Sequence, residues 1–200
     1  MRIAVVLIDR TLPGIQELMD AVCREFGAEV LRETVHLGAT HSFRKERNQY
    51  DAEILLRELA PFRSRSADIT LFIFREDMFV ENLNFIFGVA ENDFAIVSTA
   101  RLDPRFYGAI IDAHIAEELF KERLIKEALH ELGHTFGLPH CDEKFSQKFF
   151  SYRNENRSSK LRYKNRKCVM VFSNSIADVD FKGAEFCENC RKALYRKEYK

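Results

Sequence analysis

The sequence predicts an α/β fold. Three observations carry that expectation. The chain opens on a run, residues 3–8, in which every side chain is apolar. Helical and extended periodicities then alternate as far as residue 136. Past residue 141 the alternation stops and the cysteines gather, so a metal-stapled lobe is expected to close the chain.

Residues 3–8 read as a strand covered on both faces. Pro13 and Gly14 mark a turn, after which Ile15, Leu18, Met19, Val22 and Phe26 recur at helical spacing until Gly27. Cys23 falls in this helix, one turn beyond Met19, and is expected to be a small buried hydrophobe. Residues 29–37 alternate as a second strand, and 38–45 read as loop. Tyr50, Ile54, Leu55 and Leu59 predict a helix over 48–59, stopped by Pro61. Residues 68–74 form a third strand, and 84–89 with 94–99 a pair joined as a hairpin through 90–93. Helical periodicity returns from about 114 to 136 through Leu119, Phe120, Leu124, Ile125, Leu129 and Leu132. Gly137 halts it and Pro139 reinforces the stop. Residues 142–167 have no clear period and read as a surface loop or insertion, and a last helix is expected at 185–195.

Composition narrows the class. With 200 residues, 46% of them hydrophobic, and only 8 Gly and 4 Pro, the chain has ample material for a core and is neither disordered nor low-complexity. The net charge of zero hides an asymmetry: residues 142–200 carry 15 basic and 8 acidic side chains. A solvated surface accounts for that excess, although it could also steer an anionic partner. No apolar run approaches the roughly 18 residues of a spanning helix, and 3–8 is too short for a signal-peptide core. A cytoplasmic protein without a membrane partner is therefore expected. Five cysteines, an odd number, then argue for metal or free thiols over disulfides.

The chemistry concentrates at His130-Glu131-Leu132-Gly133-His134-Thr135-Phe136-Gly137-Leu138-Pro139-His140. Helical residues four apart differ by only about 40° of rotation, so His130 and His134 can grip one ion. Glu131, one residue along, stands beside the metal, where it can take a proton from the water that the metal activates. The helix must then end for a third ligand to return. Gly137 allows the sharp turn and His140 supplies the ligand. Three neutral imidazoles leave a fourth position open, the mark of a catalytic zinc. A bare H-E-x-x-H arises by chance, whereas Gly137 and His140 at these offsets make the run specific. His36, His41 and His114 lack partner spacing and read as surface or packing residues.

With a downstream Met, this run is the metzincin signature. Cys141 directly after the third His, then Cys168-Val169-Met170 and Cys187-Glu188-Asn189-Cys190, resembles the archaemetzincins in particular. Arg47-Asn48-Gln49-Tyr50, Leu83 to Gly88, Ser98 to Leu102 and Met170 to Asn174 also look like family segments, so the resemblance covers most of the chain outside 142–167. It implies one catalytic domain over 1–200: a mixed twisted sheet packed on helices with the zinc helix over 1–137, and a C-terminal lobe over 138–200 that holds the 142–167 basic insertion. It also implies a Met-turn at Met170 beneath the imidazoles, and a second, structural zinc on Cys141, Cys168, Cys187 and Cys190. The family's first two cysteines stand closer together than these. Lengthening the intervening loop to 26 residues costs on the order of 2 kcal/mol, little against the 10 kcal/mol or more of a structural zinc. Some metzincins add a Tyr after the Met-turn, but no Tyr occurs between Tyr163 and Tyr195.

The reading that follows is a zinc metallopeptidase, with two zinc ions per chain and Glu131 as general base. Its partner is a peptide or protein substrate, and a monomer is expected. By the resemblance, residues 94–101 form the sheet edge that faces the cleft. The competing reading is a non-catalytic, zinc-stabilised module that binds nucleic acid or protein through 142–167, where nine basic residues stand among Phe149, Phe150, Tyr152 and Tyr163. Glu131 at its mechanistic offset weighs against it, so nucleic acid is the less expected partner.

Overall fold

A computed structural model describes residues 1–142 and 167–197. The first strand, β1 (Arg2–Ile8), lies inside a five-stranded sheet, with a neighbouring strand on each side. It leads through α1 (Ile15–Phe26) to β2 (Glu29–Val35), which pairs with it in parallel. The chain then makes β3 (Phe43–Arg44), β4 (Gln49–Asp51) and α2 (Ala52–Leu59), and returns to the other side of β1 as β5 (Ile69–Phe74). A short β6 (Met78–Phe79) pairs with β4 to complete a separate three-stranded sheet. The hairpin of β7 (Gly88–Glu91) and β8 (Phe94–Ser98) finishes the main sheet in the order β2-β1-β5-β8-β7. The long α3 (Ala113–Thr135) follows, and α4 (Ile176–Phe181) and α5 (Glu188–Lys197) close the chain.

The period-2 geometry of strands sorts the core into two layers. Ile3, Val5 and Leu7 of β1, with Leu71, Ile73 and Val97, face α1 and α3. Ala4, Val6 and Ile8, with Phe72, Phe74 and Ile96, face Leu55, Leu56 and Leu59 of α2. The uninterrupted apolar run at the start of the sequence is thus an interior strand covered by helices on both faces.

Five expectations need correction. Residues 48–59 are not one helix, because Tyr50 and Asp51 give their amides to Asp77 O and Ser42 O, 2.8 Å each, as strand β4. The helix starts only at Ala52, capped by the Asp51 side chain on the amides of Glu53 and Ile54. The stretch 38–45 is not all loop, since Phe43 pairs with Tyr50. Cys23 is exposed, because it lies beyond the edge of the stripe of Leu18, Val22 and Phe26 that α1 turns to the core. Finally, the strand within 94–101 is interior. β8 lies between β5, parallel to it, and β7, antiparallel, so the hairpin leaves β7 at the edge. The hairpin itself comes later than expected: its first strand is 88–91 and not 84–89, and it turns at Asn92, in the left-handed region at φ 54°.

Most of the insertion expected at 142–167 lies outside the described residues. Among those described, no helix is long and apolar enough to cross a membrane.

Candidate active site

The last turns of α3 carry His130 and His134 on one face, and their Nε2 atoms stand 3.2 Å apart. The helix ends in a sharp reversal: Gly137 adopts φ 73°, its amide bonds His134 O, and Leu138 N bonds Gly133 O. That turn brings His140 back, with ring centroids 5.3 Å from His130 and 4.8 Å from His134. One ligand nitrogen from each of the three lies within 4.8 Å of the others.

Backbone carbonyls set the tautomers. Val169 O lies 2.8 Å from His130 Nδ1, and Leu138 O 2.8 Å from His134 Nδ1. A carbonyl can only accept, so each Nδ1 carries the hydrogen and each Nε2 presents a bare lone pair to its neighbour. Two lone pairs at 3.2 Å repel unless a cation lies between them, so this donor set fits a metal ion. Burial holds all three histidines below the usual pKa, which keeps them in the neutral form a metal requires.

The four cysteines form a second cluster, again with ligand atoms within 4.8 Å of one another. Cys141 and Cys187 sulfurs are 3.8 Å apart, and the Cys187 amide donates to Cys168 Sγ at 3.2 Å. Hydrogen bonding from Cys190 foremost pulls Cys168 down to about 5, whereas burial pushes Cys141 up to about 12. Cys168 forms a thiolate readily, while Cys141 and Cys190 resist ionising beside it. A cation would relieve that repulsion, and four sulfurs would close its coordination shell.

The two clusters share short stretches of chain. His140 and Cys141 are adjacent, and in Cys168-Val169-Met170 the first residue joins the thiols while the second holds His130. Met170 is fully buried, and its side chain lies against Gly133 of α3. A Cβ there would stand 3.1 Å from Met170 Cε, in collision with Sδ, and 3.2 Å from Phe186.

Glu131 is 5% exposed, and its carboxyl group makes no hydrogen bond to the described residues. Burial first, then the neighbouring Glu127, raises its carboxyl well above the usual range, while Lys182 opposes the shift. Glu127 and Lys182 are both buried, 3.0 Å apart as an ion pair whose geometry is not that of an aligned hydrogen bond. Lys182 Nζ also stands 3.5 Å from His130 Nδ1, a nitrogen already committed to Val169. Neither residue was singled out by the sequence reading. Glu127 was within its reach, being one helical turn before Glu131 on the same face, whereas Lys182 arrives from α4 with no local signal.

The three histidines, Glu127 and Glu131 line a cleft of about 540 Å³, with residues 83–90 on one side, 172–174 on the other and α3 as its floor. Ser98 N bonds Phe87 O, so residues 87 and 89 direct their backbone groups to β8. Gly88 and Ala90 therefore turn theirs to the free edge of β7, on the cleft. Cys23, His36, His41 and His114 lie elsewhere, at exposed positions.

A family model described as Peptidase family M54 matches residues 28–155 and 158–196. An archaemetzincin of Sulfolobus acidocaldarius is 37% identical over 170 residues, covering 84% of this chain and 81% of its own. One of Pyrococcus furiosus is 39% identical over 158 residues, covering 78% of this chain and 69% of its own. The crystal structure of the Methanopyrus kandleri archaemetzincin superposes with a TM-score of 0.76 at 31% identity, covering 100% of this chain and 96% of its own. A zinc-dependent peptidase from Methanocorpusculum labreanum gives 0.74 at 26% identity, covering 96% and 99%.

Proposed function

Because the chain belongs to peptidase family M54 and is a zinc metallopeptidase, we propose that it cuts extended peptides with Glu131 as general base and His130, His134 and His140 as ligands of the catalytic zinc. The observation that carries this reading is the Glu131 carboxyl group, buried in the cleft one residue from His130 and free of any hydrogen bond to the described residues. A zinc ion held there supplies Lewis acidity, which polarises the scissile carbonyl and makes water more acidic. The chain's residues do the remaining work. Val169 O and Leu138 O fix the imidazoles so that their Nε2 lone pairs converge. Glu131 takes the proton of the attacking water and passes it to the amide nitrogen as the C–N bond breaks, leaving a new carboxyl group and an amine. Gly88 and Ala90 offer backbone groups to which a substrate can add as an antiparallel strand.

Cys141, Cys168, Cys187 and Cys190 hold a second, structural zinc in this reading, and Met170 is the Met-turn residue under the histidines. The chain acts as one catalytic domain, 1–137 with the C-terminal portion 138–200. A cytoplasmic setting suits four thiols that must stay reduced, and a monomer suits a site drawn entirely from one chain. The test is Glu131→Gln in the zinc-loaded protein. Hydrolysis should fall by about 10²–10⁴, with zinc content and melting temperature unchanged. Activity retained within about tenfold rules out Glu131 as the base.

A further inference from the structure

We propose that Phe85, locked into the cleft wall by Arg101 and Asp77, makes this site select peptides with a bulky apolar side chain next to the bond that is cut. The inference rests on the peptidase reading and gives it a substrate class.

The wall ahead of β7 is clamped from behind. Arg47 Nη2 donates to the carbonyls of Leu83 and Asn84 at 3.0 Å each, and Gln49 Nε2 donates to Asn84 O at 2.9 Å. Gln49 Nε2 also reaches Asp77 Oδ2 at 2.9 Å. Asp77 in turn takes a two-pronged ion pair from Arg101, at 2.8 and 2.7 Å. The Arg101 guanidinium lies 4.1 Å from the centre of the Phe85 ring, and Phe87 meets that ring edge-on at 5.2 Å. Phe85 thus has one face covered by a cation and an edge held by a second aromatic, while the remainder lines the cleft. Swinging it away would uncover an ion pair whose side chains are only 20% and 10% exposed.

The opposite wall matches it. Phe172 is 46% exposed and packs against His140 at 4.9 Å between ring centroids. Apolar surface therefore flanks the histidines on both sides. Neither wall carries an ionisable side chain, since residues 83–90 and 172–174 include none; Arg101 behind the wall pairs with Asp77, and Glu127 on the floor pairs with Lys182. A charged substrate side chain finds no uncompensated partner among these groups, whereas an aromatic or aliphatic one finds two rings to cover. Phe85 is the specificity-determining residue and Arg101 a positioning residue that acts through it.

The experiment measures binding, which separates it from turnover. Zinc-loaded Glu131→Gln protein is titrated with peptides of one length that carry Phe, Leu, Gly, Asp or Lys beside the central bond. Phe and Leu should bind at least about tenfold more tightly than Gly, Asp or Lys. Adding Phe85→Ala should reduce that ratio to within about threefold. Arg101→Lys keeps the charge but loses the two-pronged pair. It should speed amide exchange at residues 83–86 by about tenfold or more and narrow the preference, with zinc content unchanged. Equal binding of all five peptides, or a preference untouched by Phe85→Ala, overturns the proposal. Unchanged exchange and preference in Arg101→Lys overturns the clamp. If binding shows the preference but the zinc-loaded wild-type protein cleaves none of the peptides, the peptidase reading fails while the selectivity stands.

Discussion

Gly88 of the edge strand lies against Glu131 of α3 so closely that a Cβ on residue 88 would sit 2.5 Å from Glu131 Cγ and 2.7 Å from its Oε1. Gly88→Ala must therefore push the carboxylate aside. The backbone at 88 is not in the left-handed region, so the substitution adds no backbone strain. Displacing a catalytic group by about 1 Å can cost on the order of 10²-fold, and kcat should fall by that order with the zinc content intact. A Gly88→Ala enzyme with wild-type kcat would show that Glu131 need not stay where it is.

Gly133 and Met170 form a second tight pair, and a double-mutant cycle reads it. Gly133→Ala overpacks Met170 and should cost about 1–3 kcal/mol in urea unfolding. Met170→Ala empties a fully buried site and should cost about 2–5 kcal/mol. In the double variant the new methyl group enters the vacated space, so the combined loss should be smaller than the two added together. Strict additivity would mean that the two side chains do not meet in solution.

Two ligand sets predict two zinc ions per chain. A mild chelator should remove the ion at the three histidines first, because that site keeps an open position, and the thiolates should retain theirs. Cys187→Ser should release the second equivalent and lower the melting temperature. A single equivalent in the wild type, unchanged by Cys187→Ser, removes the four-cysteine site.

If substrates add to β7, a peptide inhibitor should respond to N-methylation with a period of two. Amides that face Gly88 and Ala90 are lost at a cost, and those between them are tolerated. Uniform tolerance along the peptide means that strand addition is the wrong picture.

The loop before β4 gives a pH prediction. Burial raises the Glu58 carboxyl, but donation from the Thr40 hydroxyl, the His41 amide and the Ser42 hydroxyl outweighs it, so the folded pKa lies below its ordinary value. The stability from this contact is present above the unfolded pKa and disappears as pH falls through the folded one. Glu58→Gln should therefore lower stability at neutral pH and lose less on acidification. An acid limb of the unfolding curve identical to the wild type's would refute the assignment.

The metal-site reading was legible because helix geometry turns spacing into direction: four residues apart means one face, and Gly137 at its offset means a reversal that returns His140. Strands 3–8 and 68–74 were legible for a similar reason, since an apolar run buried on both faces needs no partner to be recognised. What failed depended on distant pairing. Tyr50 fits a helical stripe as well as a strand, and only Phe43 and Met78 decide between them. Whether 94–101 lies at an edge depends on which side of it β7 folds, and no residue within the segment records that choice. The six-residue α4 is too short to show a period, although Ser175 and Asp178 form its capping box. Lys182, which that helix delivers beside His130, was invisible with it.

The amide of Cys141 bonds Met170 O at 2.8 Å, and the Cys141 and Cys168 sulfurs belong to one cluster. The two described ends of the intervening stretch, Cys141 and Cys168, therefore meet at a single gathered point, like the neck of a drawn purse. With both ends pinned there, chain can be gained or lost beyond the neck at an entropic cost that grows only with the logarithm of its length. This is a position at which descendants of one catalytic scaffold can diverge, and at which an engineer can insert a tag or a binding domain. Splicing out residues 146–163 should accordingly leave the zinc content and melting temperature close to those of the parent, and loss of either metal on excision would show that the neck is not self-sufficient.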